Sequence, residues 1–291
     1  MTAATLLFLL VKASLITLMV GLGLGLEVNA LTLFRNRPWL ILRVLLGTCV
    51  LVPLVALVVL KLPFSFQMTP GARFGIALMA LSPSAPLTLR KAGLKGGDHH
   101  LAALLQVAAA LVAIVSIPLL TDVFRASYKL EGWDISPTTV ATQVALVQVL
   151  PLTVGLLLRH RWPDFGARWA LPIQKAAFLV SMAAVGLILF KVFPQLLWFF
   201  QANPMAIPVM ALMTAAALAL GYLLGADGPV ERTTTALVTS MRNPGLALLF
   251  AITHGEAIPG VKLAIVSYLL VTILGSIPFL RWSRRKGAPA T

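Results

Sequence analysis

Ser82-Pro83-Ser84-Ala85-Pro86 and Met241-Arg242-Asn243-Pro244-Gly245 each fall in the middle of a hydrophobic segment. Proline has no backbone N–H to donate and its ring clashes with the preceding helical turn, so each stretch breaks a helix. In hydrocarbon, an unpaired backbone group is so costly that a break survives only inside protein or beside a wet cavity. Two breaks at matching places in the halves of one chain point to a transport site.

The segments around the breaks read as membrane spans. Of 291 residues, 59% are hydrophobic and 11% charged, a balance that belongs to polytopic membrane proteins rather than soluble domains. At about 20 apolar residues per span, the sequence predicts nine spans, over 5–26, 39–60, 72–92, 99–121, 138–158, 171–193, 205–226, 234–253 and 260–280. Short connections with turn and cap residues join them, among them Asn36-Arg37-Pro38, Gly96-Gly97-Asp98, Trp162-Pro163-Asp164 and Asp227-Gly228-Pro229. No linker divides the chain, which reads as a single transmembrane transporter domain over 1–291. The polar tail from Arg281 to Thr291 is expected to fray. The N-terminal apolar run reaches Leu26, longer than the core of a cleaved signal peptide, and reads as the first span. Cys49, the one cysteine, reads as a small core residue.

The net charge of +14 would suggest nucleic acid in a soluble protein. Here the basic residues flank span ends, so the partner they imply is the lipid bilayer, with no nucleic acid. With the C-terminus in the cytoplasm, the inner loops hold fourteen Lys and Arg, including Arg35, Arg37, Arg90, Arg159, Arg284 and Arg285, and the outer edges hold six. The bias favours the N-terminus outside and the C-terminus inside a cell (inner) membrane. An odd number of spans also lets 1–4 and 6–9 form two four-span units of opposite direction. The breaks then fall in the third member of each, spans 3 and 8, the pattern of an inverted-repeat transporter.

All nine acids fall at loops or span ends. A buried cation site or proton relay normally needs a carboxylate inside the membrane, so the sequence supports neither, and gives no catalytic pair or metal cluster. His99 and His100 are adjacent and lack the spacing of two ligands on one helical face. Arg242 is the exceptional charge, set beside the second break near mid-membrane. It holds a substrate anion or supplies fixed positive charge, or else it snorkels or bonds the carbonyls of the broken helix. Arg90 and Lys91 read as positive-inside anchors. Lys175 reads as a snorkelling residue, and Lys12 has no account. Thr48, Ser82, Ser84, Thr88, Gln106, Thr239, Ser240 and Asn243 gather near the breaks, either as a polar cavity or as interhelical glue. Gly21, Gly23 and Gly25 read as a site of close helix packing.

The stretch Gly75 to Leu120 resembles the first broken helix and following span of the bile acid:sodium symporter family. Gly23-Leu24-Gly25-Leu26, Arg37-Pro38 and Pro53 fit its earlier spans. Met241 to Ala247 is similar to its second signature, Glu-Val-Gly-Met-Gln-Asn-Ser-Gly-Leu-Ala. The resemblance implies a core carrying two crossed, broken helices (72–92 and 234–253, with neighbouring spans) and panel helices that move against it. It also implies organic anions as substrates, coupled to two sodium ions. At the positions of the family's sodium ligands, however, this chain has Leu89, Ala102, Gln106 and Val238. The glutamine of the family's second signature falls on Arg242 and that of an earlier span on Thr48, and Asn243 is retained. Hard cations want several oxygen ligands and usually a carboxylate, and here the carboxylate is valine.

The sequence therefore predicts an all-α, nine-span secondary transporter of small organic anions, working by alternating access and not coupled to sodium. Arg242, Asn243, Thr88, Gln106, Ser240 and Thr48 are the expected substrate-site residues, and Pro83, Pro86, Pro244 and Gly245 form the breaks. No cofactor or catalytic residue is expected. The alternatives are a membrane receptor or scaffold with the same fold, and a symporter that still uses sodium.

Overall fold

The computed structural model describes residues 3–26, 32, 35–83, 98–127, 136–225, 228–254 and 258–287, and among these all regular structure is helical. The helices are α1 (Ala3–Gly25), α2 (Pro38–Val59), α3 (Pro70–Leu81), α4 (His99–Ser127), α5 (Pro137–Arg161), α6 (Pro163–Ala202), α7 (Ala206–Leu224), α8 (Pro229–Ser240), α9 (Pro244–His254) and α10 (Val261–Gly287). α2, α3, α5, α6, α8 and α9 all open on proline. A first-turn N–H has no intrahelical partner in any case, so proline loses nothing there and its fixed φ favours the helix. Asp98 caps α4 by accepting from the Leu101 N–H at 3.0 Å.

Among the described residues, eight helices, counting the α8–α9 pair as one, are long and apolar enough to cross a membrane. The expected span 72–92 enters as α3, which stops at Leu81. Ser84 to Gly97, with Pro86, Thr88, Leu89, Arg90 and Lys91, lie outside the described residues. Two helices run furthest past their expected bounds. α10 runs on through Gly287, so the segment after Arg281 continues the helix rather than fraying at once. α6 has 40 residues and overshoots 171–193 at both ends. Hydropathy marks only the part of a helix that hydrocarbon can accept, whereas helix formation depends on backbone bonds and continues through Arg, Lys and Gln, which are good helix formers.

α1 packs along α5 and α6, while α7 packs along α8 and α10, and α10 along α3. The first group depends on the glycine run. A Cβ on Gly23 would lie 2.4 Å from the Leu152 carbonyl, and those on Gly21 and Gly25 would strike Gln174, so these helices meet nearly backbone to backbone. The Gln174 amide then donates to the Gly21 carbonyl at 2.6 Å. In the second group, a Cβ on Gly71 would overlap the Pro259 carbonyl oxygen at 1.8 Å, which seats α3 against the start of α10. Asn203, just past α6, accepts from both the N–H (2.7 Å) and the hydroxyl (2.9 Å) of Thr69, the residue before α3.

Candidate functional site

α3 ends because Pro83 cannot continue it and biases Ser82 toward extended backbone; Ser82 has φ −94° and ψ 94°. α8 ends in the same way. Pro244 has no N–H for the Ser240 carbonyl and disfavours helical geometry at Asn243, and the chain leaves the helix at Met241 with φ −77° and ψ 104°. The two breaks meet: the Asn243 N–H donates to the Ser82 carbonyl at 3.1 Å. Asn243 also starts the next helix, its side-chain oxygen accepting from the Leu246 N–H at 3.1 Å. Ser82, Met241, Arg242 and Asn243 are all buried.

Arg242 is 1% exposed, and its Nη1 donates to the backbone carbonyl of Thr48 at 2.8 Å. That carbonyl is free for a reason written in α2. Residues Gly47–Leu51 form a π turn, in which the Val52 N–H bonds to Gly47 and not to Thr48 as in an α-helix. The π partner for Thr48 would be the N–H of residue 53, and residue 53 is proline. The insertion and the proline together aim a bare carbonyl at the guanidinium. The Thr48 hydroxyl shares a hydrogen bond with that of Thr239 on α8 at 3.0 Å, fixing α2 against the second broken helix.

Nε and Nη2 of Arg242 have no hydrogen-bond partner among the described residues. Its ionisable neighbours are Tyr268 and Cys49. The described carboxylates lie elsewhere: Asp98 caps α4, Asp122 pairs with Arg125, Glu231 pairs with Arg37, and Asp164 sits in the first turn of α6. A buried charge is ordinarily matched by an opposite one. Among the described residues the Arg242 guanidinium is hydrogen-bonded to one neutral oxygen.

The structure therefore brings Arg242, Asn243 and Thr48 together, with Pro83, Pro244 and Gly245 beside them. Arg242, Asn243, Pro244 and Gly245 border a small cavity of about 40 Å³ that is otherwise walled mainly by apolar side chains of α1 and α6, such as Leu15, Leu18, Phe178 and Met182. Gln106 is buried with both amide atoms unpartnered among the described residues. The Ser240 hydroxyl turns back to the Leu237 carbonyl at 3.3 Å. Val238 is buried in an apolar cluster with Leu101, Leu105 and Leu152. Thr88 and Pro86 lie outside the described residues. Sequence reasoning missed Tyr268 and the Thr48 carbonyl; for the latter a signal existed, a proline five residues downstream.

The sodium bile acid symporter family model matches residues 13–198. The chain is similar to an uncharacterized sodium-dependent transporter of Bacillus subtilis (24% identity, 92% of this chain and 81% of that protein). It is also similar to a sodium-dependent organic anion transporter of Bos taurus (27% identity, 65% of this chain and 50% of that protein). A third relative is sodium/bile acid cotransporter 4 of Rattus norvegicus (25% identity, 73% and 48%). The chain spans about half the length of the two mammalian relatives. With the match running from α1 well into α6, through the first break, this integral membrane protein belongs to the sodium bile acid symporter family.

Proposed function

We propose that this protein carries organic anions across the membrane by alternating access, with Arg242 as a tethered cation in place of sodium. The observation that carries the reading is the Arg242 hydrogen bond to the Thr48 carbonyl, at the point where the two breaks are joined. Carbonyls freed at interrupted helices are what a transporter offers to a coupling cation. In this chain a guanidinium beside the breaks takes a carbonyl freed by the π turn of α2. One glutamate with two sodium ions carries a net charge of +1, and one arginine without them carries the same.

The substrate class follows from the charge and the walls. A buried guanidinium with unpartnered N–H groups suits a carboxylate or sulfate, and the apolar faces of α1 and α6 suit a hydrophobic body. The names of the bovine and rat relatives, an organic anion transporter and a bile acid cotransporter, agree with that class. The wider architecture belongs to the same proposal. It has nine spans with the N-terminus outside, inverted repeats over spans 1–4 and 6–9, and a panel of α1, α5 and α6 moving against a core built around the breaks. Thr88, Gln106 and Ser240 enter this proposal as further polar residues of the site, on the sequence pattern alone.

The names of the bacterial and bovine relatives, both sodium-dependent transporters, favour a second reading, a symporter that still uses sodium. Uptake of a labelled bile acid or steroid sulfate into proteoliposomes, with choline replacing sodium, separates the two. Equal uptake in both salts is expected, and a strict sodium requirement overturns the tethered-cation reading.

A further inference from the structure

α5 is built in the same way as α2. Its π turn spans Ala145–Val149, and a proline follows at 151, just as Pro53 follows the π turn Gly47–Leu51. The Leu150 N–H bonds to Ala145, so the Leu146 carbonyl loses its α-helical partner. Its π partner would be the N–H of residue 151, and proline has none. In α2 the carbonyl freed in this way is taken by Arg242 at 2.8 Å. In α5 no donor among the described residues takes it. The same turn holds Gln148, which is 2% exposed and whose amide nitrogen has no partner among the described residues.

The turn also divides α5 by what each part touches. The first part, Pro137–Val144, packs on α4, and the Gln143 amide donates to the Thr253 hydroxyl of α9 at 3.2 Å. The last part, Leu150–Arg161, packs on α1 and α6 instead. There a Cβ on Gly155 would lie 2.3 Å from the Val20 carbonyl oxygen, and the Arg159 guanidinium donates to the Pro163 carbonyl at 2.8 Å. The π turn touches both α1 and α4. One helix is thus fastened to the core at its start and to the α1–α6 group at its end, and it lacks a backbone rung where the two attachments meet.

We infer that Ala145–Pro151 is a hinge: the second half of α5 travels with α1 and α6, and the first half stays with the core. Sharp bends in helices occur at prolines and at π turns. Here the two coincide, and a rung that bending would break is already absent. Leu150–Arg161 has 12 residues, a length of about 18 Å, so a kink of about 20° carries its Arg161 end through about 6 Å. α2 has the same turn and proline but is held at it, by Arg242 on the Thr48 carbonyl and by Thr239 on the Thr48 hydroxyl. The hinge rests on the alternating-access reading for its purpose, and refines it by dividing α5 between the two bodies.

Spin-label distances in phosphatidylcholine nanodiscs test it without substrate or sodium, so the result does not depend on whether the protein carries anions. One variant pairs Thr139→Cys, in the first half, with Leu274→Cys on α10. The other pairs Leu157→Cys, in the second half, with the same reference. These three positions are exposed and Cys49 is buried, so the label goes to the introduced thiols; a thermal melt verifies that each variant is folded. The Leu157 distance distribution is expected to be wider than the Thr139 one by about 4 Å, the swing of a kink of about 20° at a point about 10 Å beyond the turn. Pro151→Ala returns an N–H to the Leu146 carbonyl and is expected to narrow the Leu157 distribution to the Thr139 width. Equal widths in the two pairs, a wider Thr139 distribution, or a Leu157 width that Pro151→Ala leaves unchanged overturns the hinge.

Discussion

The carbonyl of Ser82 accepts the N–H of Asn243 at 3.1 Å, so each broken helix supplies the partner that the other's proline took away. An unsatisfied buried backbone group costs about 1–3 kcal/mol, and this one bond satisfies two such groups. The crossing is thus a joint in which neither break is tolerable alone. Residues bonded to the joint are the ones whose substitution should separate transport from stability.

Arg242→Met is the most direct case. It leaves the Thr48 carbonyl bare but removes a buried charge that lacks an opposite partner. Those two effects oppose each other, so the melting temperature is expected to hold or rise. Anion uptake is expected to fall at least about tenfold, the scale of one hydrogen bond to a charged group. Undiminished uptake, measured beside thermal unfolding, would place Arg242 among the structural residues.

Pro53→Ala tests the same bond from the other side. Alanine restores the N–H that a π turn directs at the Thr48 carbonyl, so Arg242 acquires a competitor. Removing a proline from inside a helix is stabilising by up to about 3 kcal/mol. The expected result is a more stable protein with weaker transport. A gain in both would show that the arginine does not need that carbonyl.

Asn243 has a capping role that can be isolated. Asn243→Ala removes the acceptor for the Leu246 N–H and should cost about 1 kcal/mol, a shift of a few degrees in melting temperature. Asn243→Asp keeps the cap and should recover the stability. If both variants melt alike, the cap contributes nothing.

Gly23 and Gly186 make an internal contrast. A Cβ at position 23 would lie 2.4 Å from the Leu152 carbonyl, whereas one at 186 meets nothing within 4 Å. Gly23→Ala should destabilise by about 1–3 kcal/mol through overpacking. Gly186→Ala should stabilise by about 0.5–1 kcal/mol, because alanine loses less backbone entropy in a helix. Thermal melts of the two variants, run side by side, should move in opposite directions.

The helices and both breaks were legible in the sequence because their causes are local: hydropathy over a span, and the chemistry of proline at 83 and 244. Close packing at Gly21, Gly23 and Gly25 was legible for the same reason. The partner of Arg242 was not, since it is a main-chain oxygen 194 positions away, exposed by a π turn that leaves hydropathy unchanged. Sequence alone placed Ser240 among the cavity groups. In the structure its hydroxyl is turned to Leu237, an orientation set by side-chain rotation, which composition does not encode. The overshoot of α6 went unseen because hydropathy reports hydrocarbon depth and not helix length.

That overshoot has a mechanical side. Forty residues make a rod about 60 Å long, twice the depth of the hydrocarbon layer. Its far end is pinned where Asn203 grips Thr69. Turned by about 10° around that pivot, a lever of this length sweeps its Pro163 tip through about 10 Å. An angular change too small to disturb the pivot's own hydrogen bonds thus becomes, at the opposite tip, a shift the width of a small organic molecule.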